Sequence, residues 1–426
     1  MKEIKLNKLD EVVYYDKTKS GLDIYMVVNE KVNNYYATLN VLYGSVHTNF
    51  KVKDKEYSVP NGVAHFLEHV NFNEEDGKTA HEYFDKLGTS INAATTFDYT
   101  SYEIFGTNDI GTNINHLLDY VLTPCFTKEL VEKEKGIIIE EVNMGSNNPG
   151  SNFYYATNRI LFHNNKRINL ITGTCDDVNK IKVDDLKNVY NAFYHPSNMF
   201  LVVTGNFNPY EVAALVKENQ DNKNFKEFVK PKIIKDKEII SVVKDYQEIR
   251  DNIEIPKVSI NYKLSRKSFS NIKSDSLLIS YLNVLMFSNF GSSSDFKEEL
   301  MENELITSIN TSSQIIDDMV IINILCETKY PSEVIEKVKD NMTKLNISKE
   351  KLARKSKVNI AYLITSFDDI EDVNDRIQFD IVNYKEIINN RYNLYKNLNI
   401  DEVNYIIKHL DLSNCAVLVQ KPLEKK

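Results

Sequence analysis

Apolar and polar positions change period several times along the chain, and each change marks an element. Residues 22–28 and 35–46 alternate like strands, 62–72 has helical periodicity, and 91–105, rich in Thr, Tyr and Phe, returns to strand character. Thr127 reads as the N-cap of a helix through Asn143, with Gly145 and Pro149 as its stop signals. Strands and helices mix without a regular βαβ rhythm. The expected class is therefore α+β, each domain a mostly antiparallel sheet packed with helices.

The chain also repeats itself. Val183-Asp184-Asp185-Leu186 leads through a helical pattern into Pro196-Ser197-Asn198 and the apolar run 199–203; Ile400-Asp401-Glu402-Val403 leads in the same way into Ser413-Asn414 and 415–419. The two Ser-Asn pairs stand 216 positions apart, half of the 426 residues, which points to a duplicated domain. Between the copies runs a polar, lysine-rich stretch. The expected organisation is a first domain over 1–219, a linker over 220–237 and a homologous second domain over 238–426.

Composition narrows the function classes. Hydrophobic residues make up 42% of the chain and charged residues 27%, with only 13 Gly and 9 Pro, so a large core is supported and collagen-like or disordered chains are excluded. A net charge of −9 argues against nucleic acid or an anionic membrane as the main partner. The four cysteines are scattered without CxxC spacing, and neither a secretion signal nor a membrane span is read, so the expected compartment is the cytoplasm. Arginine is scarce, with seven in the whole chain and none between Arg266 and Arg354.

The strongest chemical signal is His65-Phe66-Leu67-Glu68-His69. Positions i, i+3 and i+4 of a helix fall on one face, so both imidazoles and the carboxylate point the same way. Two neutral imidazoles suit zinc, which takes three protein ligands plus water at a catalytic site. Glu68 then stands where a general base is needed. A surface helix that merely carries these residues is the bland alternative. A third ligand is offered by the stretch 132–141, where Glu134 and Glu141 are seven apart and share a face while Ile137 and Ile138 supply apolar anchorage; read alone, such an acidic run is usually a solvated face.

Asn61-Gly62-Val63-Ala64 before the motif, Gly88-Thr89-Ser90-Ile91-Asn92-Ala93-Ala94-Thr95, Glu134 to Glu141, and Tyr194-His195-Pro196-Ser197-Asn198 together resemble the pitrilysin, insulysin and mitochondrial-processing-peptidase family of zinc peptidases. The resemblance spans most of 20–210, and within the family it is closest to short bacterial processing-protease-like proteins, often found as pairs of dissimilar subunits. It implies zinc held by His65, His69 and Glu141, with Glu68 as general base and Glu134 orienting the site; the family pattern, not composition, favours Glu141 over Glu140. It further implies that an extended peptide adds as a strand to 90–96, with Asn92 and Ala93 as backbone contacts. The expected activity is zinc-dependent hydrolysis of flexible peptides or leader segments.

One departure stands out. Active relatives carry an Arg and, six residues later, a Tyr in the second domain; here Met301 and Thr307 occupy those places. Lysine does not reproduce a planar guanidinium fork. The expectation is a homologous partner subunit that supplies the missing pair, giving an active heterodimer. The alternative is a non-catalytic or vestigial peptide-binding or scaffold subunit of the same fold, and a metal-dependent amidase is a third possibility that leaves the repeat unexplained.

Overall fold

A computed structural model describes residues 1–74 and 77–424, so the last two positions of the expected second domain lie outside the described residues. The chain forms two compact units. The first comprises Met1–Gly145, Asn169–Lys235 and Ile364–Arg391; the second comprises Ser146–Ile168, Asp236–Leu363 and the chain from Tyr392 onward.

The first unit is built on a seven-stranded sheet in the order Lys2–Lys5, Val12–Lys17, Asp23–Val28, Met199–Gly205, Tyr35–Val41, Thr100–Gly106, Ser90–Thr95. All neighbours are antiparallel except Asp23–Val28 with Met199–Gly205. Period-two alternation shows how both faces are used. Ile24, Met26, Leu201 and Val203 face the main core, with the helix Val63–Asn71 and its neighbours. Val27, Phe200 and Val202 face the other way and pack against Val373, Ile377 and Ile381 of the helix Ile370–Tyr384. A three-stranded sheet, Lys232–Ile233, Asn49–Val52 and Lys55–Ser58, completes the unit, so part of the expected linker is sheet.

The second unit repeats this plan. Its sheet runs Tyr246–Asp251, Cys415–Pro422, Lys257–Ser265, Met319–Glu327, Ser308–Ile316, again with a single parallel pair, here the first. Strand for strand, this is the order of the last five strands of the larger sheet, and the 216-residue offset carries Met199 onto Cys415, the first residue of the corresponding strand. One face of the sheet, through Ile260, Ile322 and Val417, joins the unit's main core. The other face, through Ile321, Ala416 and Leu418, is covered by Phe153, Ala156 and Ile160 of the helix Pro149–Leu161.

Two sequence expectations change here. The units are not the contiguous halves 1–219 and 238–426, because each covers one sheet face with a helix drawn from the other half of the sequence. Pro149 does not merely stop a helix. Lys128–Ser146 runs past Gly145, and Pro149 opens the next helix at its first position, where a missing N–H costs nothing, with Asn148 as the cap.

Candidate metal centre and active site

The helix Val63–Asn71 begins at Gly62, whose φ of +86° is the left-handed region; a Cβ there would stand 2.3 Å from the Thr172 carbonyl oxygen. Every residue of this helix except His69 is buried. A helix buried nearly all round belongs to the core, and its three polar motif residues share one side of it. Behind it, Asn71 Nδ2 donates to the Tyr102 hydroxyl at 2.7 Å, which is 2.9 Å from that of Tyr194.

Lys128–Ser146 supplies the carboxylates. Thr127 caps it, its Oγ1 accepting from Leu130 N–H at 3.1 Å. Its buried stripe is Val131, Glu134, Ile138 and Val142, so of the two isoleucines expected as anchors Ile138 is buried and Ile137 faces outward, 45% exposed. The structure brings the motif and this helix together. His65 Nε2 lies 3.5 Å from Glu141 Oε1, and His69 Nε2 lies 3.4 Å from Glu141 Oε2. The far nitrogen of His69, Nδ1, lies 3.5 Å from Glu134 Oε2. Glu140 is exposed on the next 100° of the helix.

Charge explains the electrostatics. Burial alone would lower the His69 pKa, but Glu134 and Glu141 on either side of the ring push it up to about 9. His65 and His69 hold the Glu141 carboxyl far below the usual carboxylate range.

Glu68 is buried beside this cluster, and its Oε2 accepts a 2.5 Å hydrogen bond from Thr95 Oγ1. The sequence places Thr95 at the end of the stretch that resembles the family but gives it no role; a hydroxyl 27 positions from Glu68 carries no local signal. Ser90–Thr95 is the edge of its sheet, with Asn92 opposite Glu103 and Ala93 opposite Tyr102 on its paired side. Asn92 is exposed and Ala93 half-buried. Met301 is exposed at the end of the helix Asp295–Glu302, and Thr307 donates its N–H to Glu327 O at 2.9 Å just before Ser308–Ile316.

The donor set suits zinc. Ligand atoms of His65, His69 and Glu141 all lie within 4.8 Å of one another, two imidazole nitrogens and one carboxylate, the number and chemistry of a hydrolytic zinc site. His65 Nδ1 is buried without a hydrogen-bond partner among the described residues, leaving Nε2 as the nitrogen that faces the cluster.

Residues 43–170 match the family model described as insulinase (peptidase family M16), and residues 180–358 match that described as peptidase M16 inactive domain. The uncharacterized zinc protease YmfH of Bacillus subtilis (strain 168) is 35% identical over 304 residues, 71% of this chain and 71% of that protein. An M16-like peptidase from Alicyclobacillus acidocaldarius superposes with a TM-score of 0.90 at 24% identity, over 98% of this chain and 100% of that one. The periplasmic protease PqqL of Escherichia coli gives a TM-score of 0.77 at 17% identity, over 98% of this chain and 48% of that one.

Proposed function

Because the chain belongs to the insulinase family, peptidase family M16, we propose that it is a zinc metalloendopeptidase subunit that hydrolyses flexible peptides or leader segments. The observation that carries this is the convergence of His65, His69 and Glu141 on one point with the buried Glu68 beside them. His65 Nε2, His69 Nε2 and Glu141 are the ligands, and Glu134 fixes the His69 ring through Nδ1. Zinc, when bound, supplies a Lewis acid for carbonyl and water alike. Glu68 takes the proton from the attacking water as the new C–O bond forms, and returns it to the amide nitrogen as the C–N bond breaks. An extended peptide pairs with the open side of Ser90–Thr95, contacting the backbone at Asn92 and Ala93.

Met301 and Thr307 leave this chain without a guanidinium and a phenol that active relatives use. We assign those groups to a homologous partner subunit, a reading supported by PqqL, which this chain matches over only about half of its length. We place the chain in the cytoplasm on its four free thiols, which suit a reducing compartment. Met301 also favours a second reading, a peptide-binding subunit without activity.

The experiment loads the purified chain with zinc and follows cleavage of an internally quenched unstructured peptide, alone and with a homologous chain carrying the Arg and Tyr. The proposal expects one zinc per chain, little hydrolysis alone, robust hydrolysis in the pair, and about 100-fold or greater loss in Glu68→Gln with zinc retained. Equal turnover by Glu68→Gln removes Glu68 as the base, and no hydrolysis in any pairing favours the peptide-binding reading.

A further inference from the structure

The zinc ligands and base described above leave one question of geometry, which is what holds the Glu68 carboxylate in place. Its own helix fixes the backbone, but a glutamate side chain has three rotatable bonds, and a base must be placed to within a fraction of an ångström to act. We infer that Thr95 is the positioning residue of Glu68, its hydroxyl donating to one carboxylate oxygen so that the other is presented for proton transfer. The inference rests on the peptidase reading of the site.

The hydroxyl lies 2.5 Å from Glu68 Oε2, in a part-buried hydrogen bond to a buried glutamate, where a hydrogen bond is stronger than in open water. A threonine hydroxyl has a single proton to donate. Directed at a carboxylate it makes a charge-assisted bond, which fixes the orientation of the carboxylate.

Thr95 itself is held by an unusually braced turn. It ends the strand Ser90–Thr95, opposite the buried Thr100, and the chain reverses directly after it. Thr96 N–H donates to Tyr99 O at 2.8 Å, while the Thr96 hydroxyl accepts from Asp98 and Tyr99 N–H groups at 3.2 and 3.0 Å. From outside the turn, Ser45 and Val46 N–H groups donate to Thr96 O and Phe97 O at 3.0 and 3.1 Å. The Thr100 hydroxyl ties the returning strand to Tyr43 O at 3.0 Å. Gly44 lets the segments approach this closely, since a Cβ there would sit 2.5 Å from the Phe97 carbonyl carbon. The backbone that follows Thr95 is therefore tied down by hydrogen bonds within and from outside the turn, and the strand that carries the hydroxyl is the sheet edge. A peptide that pairs along this strand thus docks on the same braced element that orients the base.

The test compares wild type, Thr95→Val, which keeps the shape and removes the donor, and Thr95→Ser, which restores it. Each is loaded with cobalt in place of zinc, and acetohydroxamic acid is titrated while the visible spectrum is followed. This acid binds the metal as its anion and gives its proton to a neighbouring carboxylate, so its affinity reports Glu68 placement without any turnover. The expected result is unchanged metal content, about tenfold weaker acetohydroxamate binding in Thr95→Val, and recovery to within about twofold in Thr95→Ser. In the active pair, kcat falls about tenfold in Thr95→Val with KM within about twofold. Equal acetohydroxamate affinity in all three chains overturns the inference and leaves the peptidase reading intact. Loss of metal or fold in Thr95→Val, not recovered by Thr95→Ser, makes Thr95 a structural residue and also overturns it. A donor-dependent affinity in a chain that cleaves no peptide in any pairing overturns the peptidase reading while the placement of Glu68 by Thr95 stands.

Discussion

Glu134 and Glu141 hold opposite nitrogens of one ring: two turns apart on a single helix, they lie 3.5 Å from His69 Nδ1 and 3.4 Å from His69 Nε2. Seven residues on an α-helix return to within about 20° of the starting direction, so a rigid helix sets the spacing of the two carboxylates. The partners are unequal. Glu134 is buried along the stripe that packs the helix, whereas the Glu141 side chain is 47% exposed.

That inequality separates their substitutions. In the proposed ligand set, Glu141→Gln removes the charged member and is expected to release zinc to a competing chromophoric chelator. Glu134→Gln leaves the three proposed ligands in place and is expected to weaken zinc about 10- to 100-fold, through a ring no longer oriented at Nδ1. Chelator competition on both variants is the measurement, and greater zinc loss from Glu134→Gln than from Glu141→Gln would reverse the assignment.

Two glycines near the site are expected to respond in opposite directions to alanine. At Gly62 the left-handed backbone costs an L-residue about 1–2 kcal/mol, and the added Cβ meets the Thr172 carbonyl oxygen at 2.3 Å, so Gly62→Ala should lose at least that much stability and displace the start of the motif helix. Gly136 lies inside Lys128–Ser146 with nothing within 4 Å of an added Cβ, so Gly136→Ala should gain about 0.5–1 kcal/mol. Urea unfolding of the two variants decides both, and a stabilised Gly62→Ala would contradict the backbone argument.

The sequence spoke clearly where the chemistry is local. His65, Glu68 and His69 fall on one helix face by spacing alone, and the repeated Ser-Asn turns locate the corresponding inner strands of both sheets. It could not separate Glu141 from Glu140, because 100° of helical phase is invisible until the helix has a neighbour. Thr95 was hidden for a related reason: its meaning depends on a strand end and a helix meeting in space. The exchange of helices was equally illegible. Phe153, Ala156 and Ile160 announce an apolar face, but nothing in that face specifies which sheet it covers.

The helix Ile370–Tyr384 is bolted to the first sheet by a buried amide. Asn374 is fully buried; its Oδ1 accepts from Thr38 Oγ1 at 2.8 Å and Gln378 Nε2 at 3.0 Å, while its Nδ2 donates to Val202 O at 3.3 Å. Asn374→Leu is close in size but leaves the Thr38 hydroxyl and the Gln378 amide buried without this acceptor. The expected loss is roughly 2–3 kcal/mol by chemical unfolding, and a neutral substitution would show that packing of Val373 and Ile377 alone holds the helix.

In the second unit a buried ion pair makes stability depend on pH. The Lys263 side chain is wholly buried, and its Nζ donates to Glu238 Oε1 at 2.8 Å and to the carbonyls of Leu161 and Ile239 at 2.8 and 2.7 Å. Glu238 also accepts from the N–H groups of His163, Asn164 and Asn165 at 2.9, 2.7 and 2.8 Å, so one carboxylate joins the end of Pro149–Leu161 to the strand Lys257–Ser265. Burial alone would raise the Glu238 pKa, but Lys263 and these N–H groups hold it below the usual carboxylate value. A carboxyl whose folded pKa is lowered contributes stability above its unfolded pKa of about 4.3, and that contribution is lost as pH falls through the folded value. Glu238→Gln should therefore cost roughly 3 kcal/mol at pH 7, where it strands a buried ammonium without its counter-ion. The gap between variant and wild type should narrow as pH falls below about 4. Urea unfolding of both chains from pH 7 to pH 3.5 measures it, and a gap that stays constant over that range would exclude the ionised pair as the source.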